Sequence, residues 1–141
     1  MKIFAKAYNC RPGSDPEAAK RELSLANPGA VVQAVRGGSA SNELYVEMLA
    51  AQTLRAQASE GMLAKKPEID LLLRLAGTNQ IAAAIKEKGA KAGDASLLIC
   101  AGRSALKSPK SLSRMELPRR GLTRAELAKV EKAALLGTRN P

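Results

Sequence analysis

This sequence of 141 residues has no histidine and no tryptophan, one phenylalanine (Phe4) and two tyrosines (Tyr8, Tyr45). Without histidine it lacks the commonest general base and metal ligand, so Ser-His-Asp and Cys-His catalytic arrangements are impossible. With so few aromatic rings, base stacking cannot dominate single-strand binding. Any RNA contact must then rest on phosphates, backbone amides, and aliphatic or Arg surfaces. The two cysteines, Cys10 and Cys100, lie far apart and match no metal-ligand spacing. Each sits in or beside an apolar stretch, and both are expected to be reduced and buried in a cytoplasmic protein. No apolar run approaches membrane-spanning length, and Met1 to Lys6 is too short and too charged a stretch to read as a signal peptide. Neither a metal nor another cofactor is expected.

What the chain does have is apolar content, 45% of residues, built from Leu, Ile, Val, Met and Ala. That is enough to bury a core in one domain without disulfide or metal support. It also has charge: 23 Lys plus Arg against 13 Asp plus Glu, a net +10. A balance that basic favours a polyanionic partner and speeds encounter with it, although a solvated basic face has the same composition.

Alternation over residues 2–8 predicts a first strand, broken at Arg11-Pro12-Gly13. Ser14 or Asp15 caps a helix that begins with Pro16 and Glu17 and stops at Asn27-Pro28-Gly29. A second strand is expected over 30–36. Ser41 or Asn42 then opens a longer helix with Leu44, Met48, Ala51, Leu54 and Ala58 on one face. The continuous run Leu71-Leu72-Leu73 suits a buried strand over 68–76. Gly77-Thr78-Asn79 turns into a helix with Ile81, Ala84 and Ile85 inward, and a fourth strand covers 96–101. Residues 103–120 are irregular, with a short helix at 103–107 or a mobile loop expected. Thr123 and Glu126 form a capping box for a last helix whose apolar stripe is Leu127, Val130 and Ala134. Residues 137–141 are expected to fray. The fold class is α/β: a single domain over 1–136, with a small mixed sheet covered by helices.

Few residues offer chemistry. Asp70 lies in an apolar run with no partner acid near in sequence, and reads as a structural carboxylate at a strand edge or cap. Arg36-Gly37-Gly38-Ser39 could cradle a phosphate between strand and helix, but it matches neither the P-loop nor the dinucleotide fingerprint and reads as an ordinary loop. An enzyme acting on a nucleotide there is the weakest functional reading.

The most informative stretch is Ala64 to Ile85, AKKPEIDLLLRLAGTNQIAAAI. The basic pair Lys65-Lys66 precedes the run ending in Arg74-Leu75-Ala76-Gly77. A tight turn then delivers Asn79 and Gln80 onto the start of a helix, where unpaired backbone N–H groups favour anions. The run LLLRLAGTNQI, residues 71–81, resembles the signature of the smallest subunit of the KEOPS tRNA-modification complex, the archaeal counterpart of the human PRPK-binding protein. The similarity extends to residues 42–60 and 94–100. Asn79 stands where archaeal relatives often have Arg, Asp70 where Glu is usual, and Gly61 or Met62 where Asn is common.

The resemblance implies a non-catalytic subunit with no small-molecule substrate of its own. Such a subunit docks the atypical kinase/ATPase subunit and recruits tRNA through its 3′ CCA end for threonylcarbamoyl adenosine modification. The implied RNA-binding residues are Lys65, Lys66, Arg74, Gly77, Asn79 and Gln80. Lys65→Glu with Arg74→Glu is expected to weaken tRNA binding and leave the fold intact. The alternative is a protein-interaction module that regulates a kinase without touching RNA, its partner face an exposed stripe around Leu127, Val130 and Leu135.

Overall fold

The computed structural model describes residues 2–11 and 13–136; the tail expected to fray, 137–141, lies outside them. The elements are β1 (Phe4–Cys10), α1 (Pro16–Ala26), β2 (Val31–Arg36), α2 (Glu43–Ser59), α3 (Pro67–Ala76), α4 (Ile81–Lys88), β3 (Ser96–Gly102), β4 (Ser113–Arg114) and α5 (Arg124–Leu135). The strands form one sheet in the order β2-β3-β1-β4, antiparallel at every pairing. This is the single α/β domain expected, with helices laid on a small sheet, but the sheet is wholly antiparallel where a mixed one was expected.

Strand alternation divides the interior in two. Ala7, Val31, Val35, Leu97, Ile99 and Ala101 face α2, α3 and α5 and form the larger core. Tyr8, Cys10, Val32, Ala34, Leu98 and Cys100 face α1, whose Ala19 and Leu23 close a smaller one. Both cysteines are buried, and desolvation pushes the Cys100 thiol up to about 11. Since the thiolate is the reactive form, a thiol-specific reagent at neutral pH is expected to label neither cysteine until denaturant is added. Rapid labelling of the native chain would contradict this packing.

One expected element changes type. Residues 68–76 form the helix α3, not a strand, and Leu71, Leu72, Leu73 and Leu75 are all buried. Pro67 in the first turn pre-sets the helical φ. Gly77 ends the helix with φ 72°, a left-handed conformation that glycine takes without penalty, and its N–H bonds the Leu73 carbonyl at 2.8 Å. α3 is buried on all sides from Asp70 to Leu75, with Asp70 and Arg74 paired on one stripe, so consecutive leucines are covered here as they would be in a central strand.

Three helix faces also differ from expectation. On α2 the buried set is Tyr45, Val46, Leu49, Ala50, Thr53, Leu54 and Ala56, rotated from the stripe drawn through Leu44 and Ala58. On α4 only Ala84 is buried, and Ile81 and Ile85 face outward. On α5 Val130 and Ala133 point into the core, Leu136 is buried just beyond the helix, and Leu127 is exposed. Residues 103–120 hold no helix at 103–107. They run across the α1 face and past α2, pinned by Asn27 (Nδ2 to the Lys107 carbonyl, 2.8 Å; Oδ1 from the Lys107 N–H, 2.6 Å) and by Tyr8–Ser108 at 2.8 Å. Arg119 is ion-paired with Glu43 and Glu47.

The capping box of α5 is complete. The Glu126 carboxylate accepts from the Thr123 N–H at 2.9 Å and the Thr123 hydroxyl from the Glu126 N–H at 3.1 Å. The Thr123 N–H, and then Arg120, hold Glu126 down from 4.5 to about 2. A carboxylate lowered in the folded state stabilises it above the ordinary value and stops doing so as pH falls through the folded one. The thermal midpoint is therefore expected to drop between pH 4.5 and 2, and to drop less in Glu126→Gln. Equal slopes for the two chains would rule the box out as the cause.

Candidate nucleic-acid interface

The segment 64–85 is a helical hairpin, α3–turn–α4, not a strand-turn-helix. Its two helices are capped differently from the other three. α1, α2 and α5 begin with a side chain, from Asp15, Asn42 and Thr123, that accepts a first-turn N–H. α3 and α4 begin at Lys66 and Gln80 with no side-chain cap hydrogen bond. Glu68 and Asp70 place negative charge in the first turn of α3, whereas α4 has no acidic residue there. The start of α4 is thus a positive helix end with no carboxylate of its own beside it.

The turn at that point is built from Gly77 to Gln80. The Gln80 backbone N–H donates to the Thr78 hydroxyl at 3.1 Å and the Gln80 side-chain Nε2 to Asn79 Oδ1 at 3.3 Å, and both Asn79 and Gln80 are exposed. α5 passes close by: a Cβ added at Gly77 would stand 3.6 to 3.8 Å from the Lys132 side chain. Gly77, Asn79, Gln80 and the cation of Lys132 therefore share one end of the hairpin. Lys132 is a contributor that sequence reasoning missed, since only the tertiary packing of α5 brings it there.

The other implied residues are elsewhere. Lys65 and Lys66 are exposed at the opposite end of α3, about 15 Å away for a helix of 10 residues. Arg74 is not a surface residue. It is 5% exposed, and its guanidinium donates to Asp70 at 2.7 and 3.2 Å and to the Ala133 carbonyl at 3.1 Å. Asp70, wholly buried, also accepts from the Thr53 hydroxyl at 2.6 Å and the Leu63 N–H at 2.9 Å. Asp70 is a structural carboxylate inside a helix, not at a strand edge, and Arg74 is its counter-ion.

The expected partner stripe divides in the same way. Val130 is buried, while Leu127 and Leu135 are exposed. Leu135 lines an open hollow of about 450 Å³ on α5 with Ala128, Glu131, Lys132 and Leu136. A second cleft, about 380 Å³, lies between 26–30 and 102–107 and includes no hairpin residue. The Arg36–Ser39 loop closes on itself as a turn: the Ser39 N–H bonds the Arg36 carbonyl at 3.1 Å and the Gly37 N–H the Ala95 carbonyl at 3.1 Å. Among the described residues, no group of His, Cys, Asp and Glu could hold a metal ion, and no helix is long and apolar enough to cross a membrane. Comparison with protein-family models and with curated proteins found no match.

Proposed function

We propose that this chain is a non-catalytic subunit of KEOPS type, which recruits tRNA by its 3′ CCA end and docks the kinase/ATPase subunit in the cytoplasm. The observation that carries the reading is the hairpin turn. There the sequence AGTNQI, which resembles the family signature, coincides with an uncapped helix start, exposed amide side chains and the Lys132 cation. That set suits a terminal nucleotide: backbone N–H groups and a lysine for phosphate, Asn79 and Gln80 for hydroxyls or a base edge, and the exposed Ile81 for the apolar face of a base. Phosphate contact releases counterions, so affinity falls steeply with salt.

The test is binding of intact and CCA-trimmed tRNA across a salt series, with and without the kinase. Intact tRNA is expected to bind at least about tenfold tighter, the equivalent of one lost bidentate contact. Equal binding would overturn the 3′-end reading. The exposed Leu127 and Leu135 on α5 favour a second reading, a module that regulates a kinase without RNA contact. Retention of the kinase with no gel shift of either tRNA would establish it.

A further inference from the structure

The end of the hairpin away from the turn rests on the sheet's outer strand, β2. The Gln33 side chain donates to the Glu68 carbonyl at the start of α3, at 2.9 Å. Val35 forms a β-bridge to Gly89, just past the end of α4, and the Arg36 guanidinium donates to the Lys86 carbonyl in its last turn, at 2.7 Å. Gln33 and Arg36 are about 10 Å apart along a strand. Helix start, helix end and strand edge therefore converge, and they bring six cations together from three separate stretches of sequence: Arg36, Lys65, Lys66, Lys86, Lys88 and Lys91.

The same stretches carry three carboxylates, Glu68, Glu87 and Asp94, and among the described residues none of the six cations forms an ion pair. The arginines around β4 are arranged otherwise. Arg114, Arg119 and Arg120 are each matched to Glu43, Glu47 or Glu126. Charge is compensated on that side and left open along β2. A favourable end for the α4 dipole accounts for Lys86 and Lys88 alone. It does not account for Lys91 beyond the helix, nor for the basic pair before α3.

We infer that this β2-side rim, Lys86, Lys88 and Lys91 with Lys65 and Lys66, binds the sugar-phosphate backbone of RNA, at a site separate from the turn that takes the 3′ end. The inference rests on the RNA reading above and adds a second point of attachment about one helix length away. Such contacts position a nucleic acid without reading its sequence. The turn would hold the single-stranded end while the rim holds phosphates further along the same molecule.

The experiment uses the full chain with Lys86→Gln, Lys88→Gln and Lys91→Gln combined. These are surface changes that leave the Arg36 contact to the Lys86 backbone carbonyl in place. Fluorescence anisotropy of intact and CCA-trimmed tRNA across a salt series reads the slope of log affinity against log salt. Three lost phosphate contacts lower that slope by about 2 to 3, equally for both RNAs, and low-salt affinity falls at least about tenfold. An unchanged slope overturns the rim, whatever the wild-type chain does with the CCA end. If wild type binds the two RNAs equally but the triple variant loses slope, the rim stands and the 3′-end reading falls. Failure of wild type to bind either RNA overturns both.

Discussion

Asp70→Ala is expected to cost about 3–5 kcal/mol, the range for removing one member of a buried ion pair. The substitution leaves the Arg74 guanidinium 5% exposed, with only the Ala133 carbonyl and a distant Gln52 amide to accept its protons. It also strands the Thr53 hydroxyl and the Leu63 N–H, and so loosens α2, α3 and the connector between them together. Urea unfolding with an unchanged slope and a much lower midpoint is the measurement. A loss under about 1 kcal/mol would mean that water or a rotated guanidinium repairs the site. Adding Arg74→Met should restore part of the loss, because it removes the unpaired charge. The same geometry reverses one sequence-based expectation. Arg74→Glu places a second carboxylate four residues from Asp70 inside the core, so it should unfold the chain rather than weaken RNA binding selectively.

Gly89→Ala is the second large effect. A Cβ there would lie 2.5 Å from the Ile85 carbonyl oxygen and 3.2 Å from the Ile85 carbonyl carbon, both backbone atoms that cannot swing aside. Relief requires moving the end of α4, with loss of the Gly89 N–H bond to Ile85 at 2.9 Å and of the bridge to Val35. Overpacking of this kind costs about 1–3 kcal/mol. Because Lys86, Lys88 and Lys91 flank the position, the variant should also show a lower salt slope for RNA even where it remains folded. The thermal midpoint reads the cost, and an unchanged midpoint would show that the strand edge tolerates the methyl group.

Most elements were legible because local chemistry and tertiary packing agree in them. Asp15-Pro16-Glu17 starts α1, Thr123 with Glu126 starts α5, alternation marks β1, a valine-rich run β2 and a short continuous apolar run β3. α3 was misread because Leu71-Leu72-Leu73 gives the same apolar signal in a buried strand and in a helix covered on several sides. The deciding cues were present: Pro67 at the start, Asp70 and Arg74 spaced i,i+4, and Gly77 at the end. β4 is two residues long in a basic, proline-containing stretch, and nothing local specifies it. At the candidate site the turn residues were readable from their type and order. The burial of Arg74, the approach of Lys132 and the convergence of Lys65, Lys66 and Lys86 on β2 depend on how α3, α4 and α5 pack. Sequence order carries no signal for such contacts.

The sheet's two borders are finished unequally. β2 is overlaid by the hairpin and its bridge, but β4 pairs only with Tyr8 and Asn9, and the Met115 N–H adds one bond to the Ala7 carbonyl. Among the described residues, Phe4–Lys6 of β1 therefore have no strand partner on that side, and such an edge is the template from which chains add to one another in cross-β assemblies. Lys2 and Lys6 lie on or beside that stretch. A basic chain that repels its own copies resists such growth, whereas a bound polyanion would neutralise that repulsion. The surplus of positive charge thus has a second consequence. Short anionic polymers added in excess of the chain should promote its aggregation, and Lys6→Val should lower the concentration at which that begins.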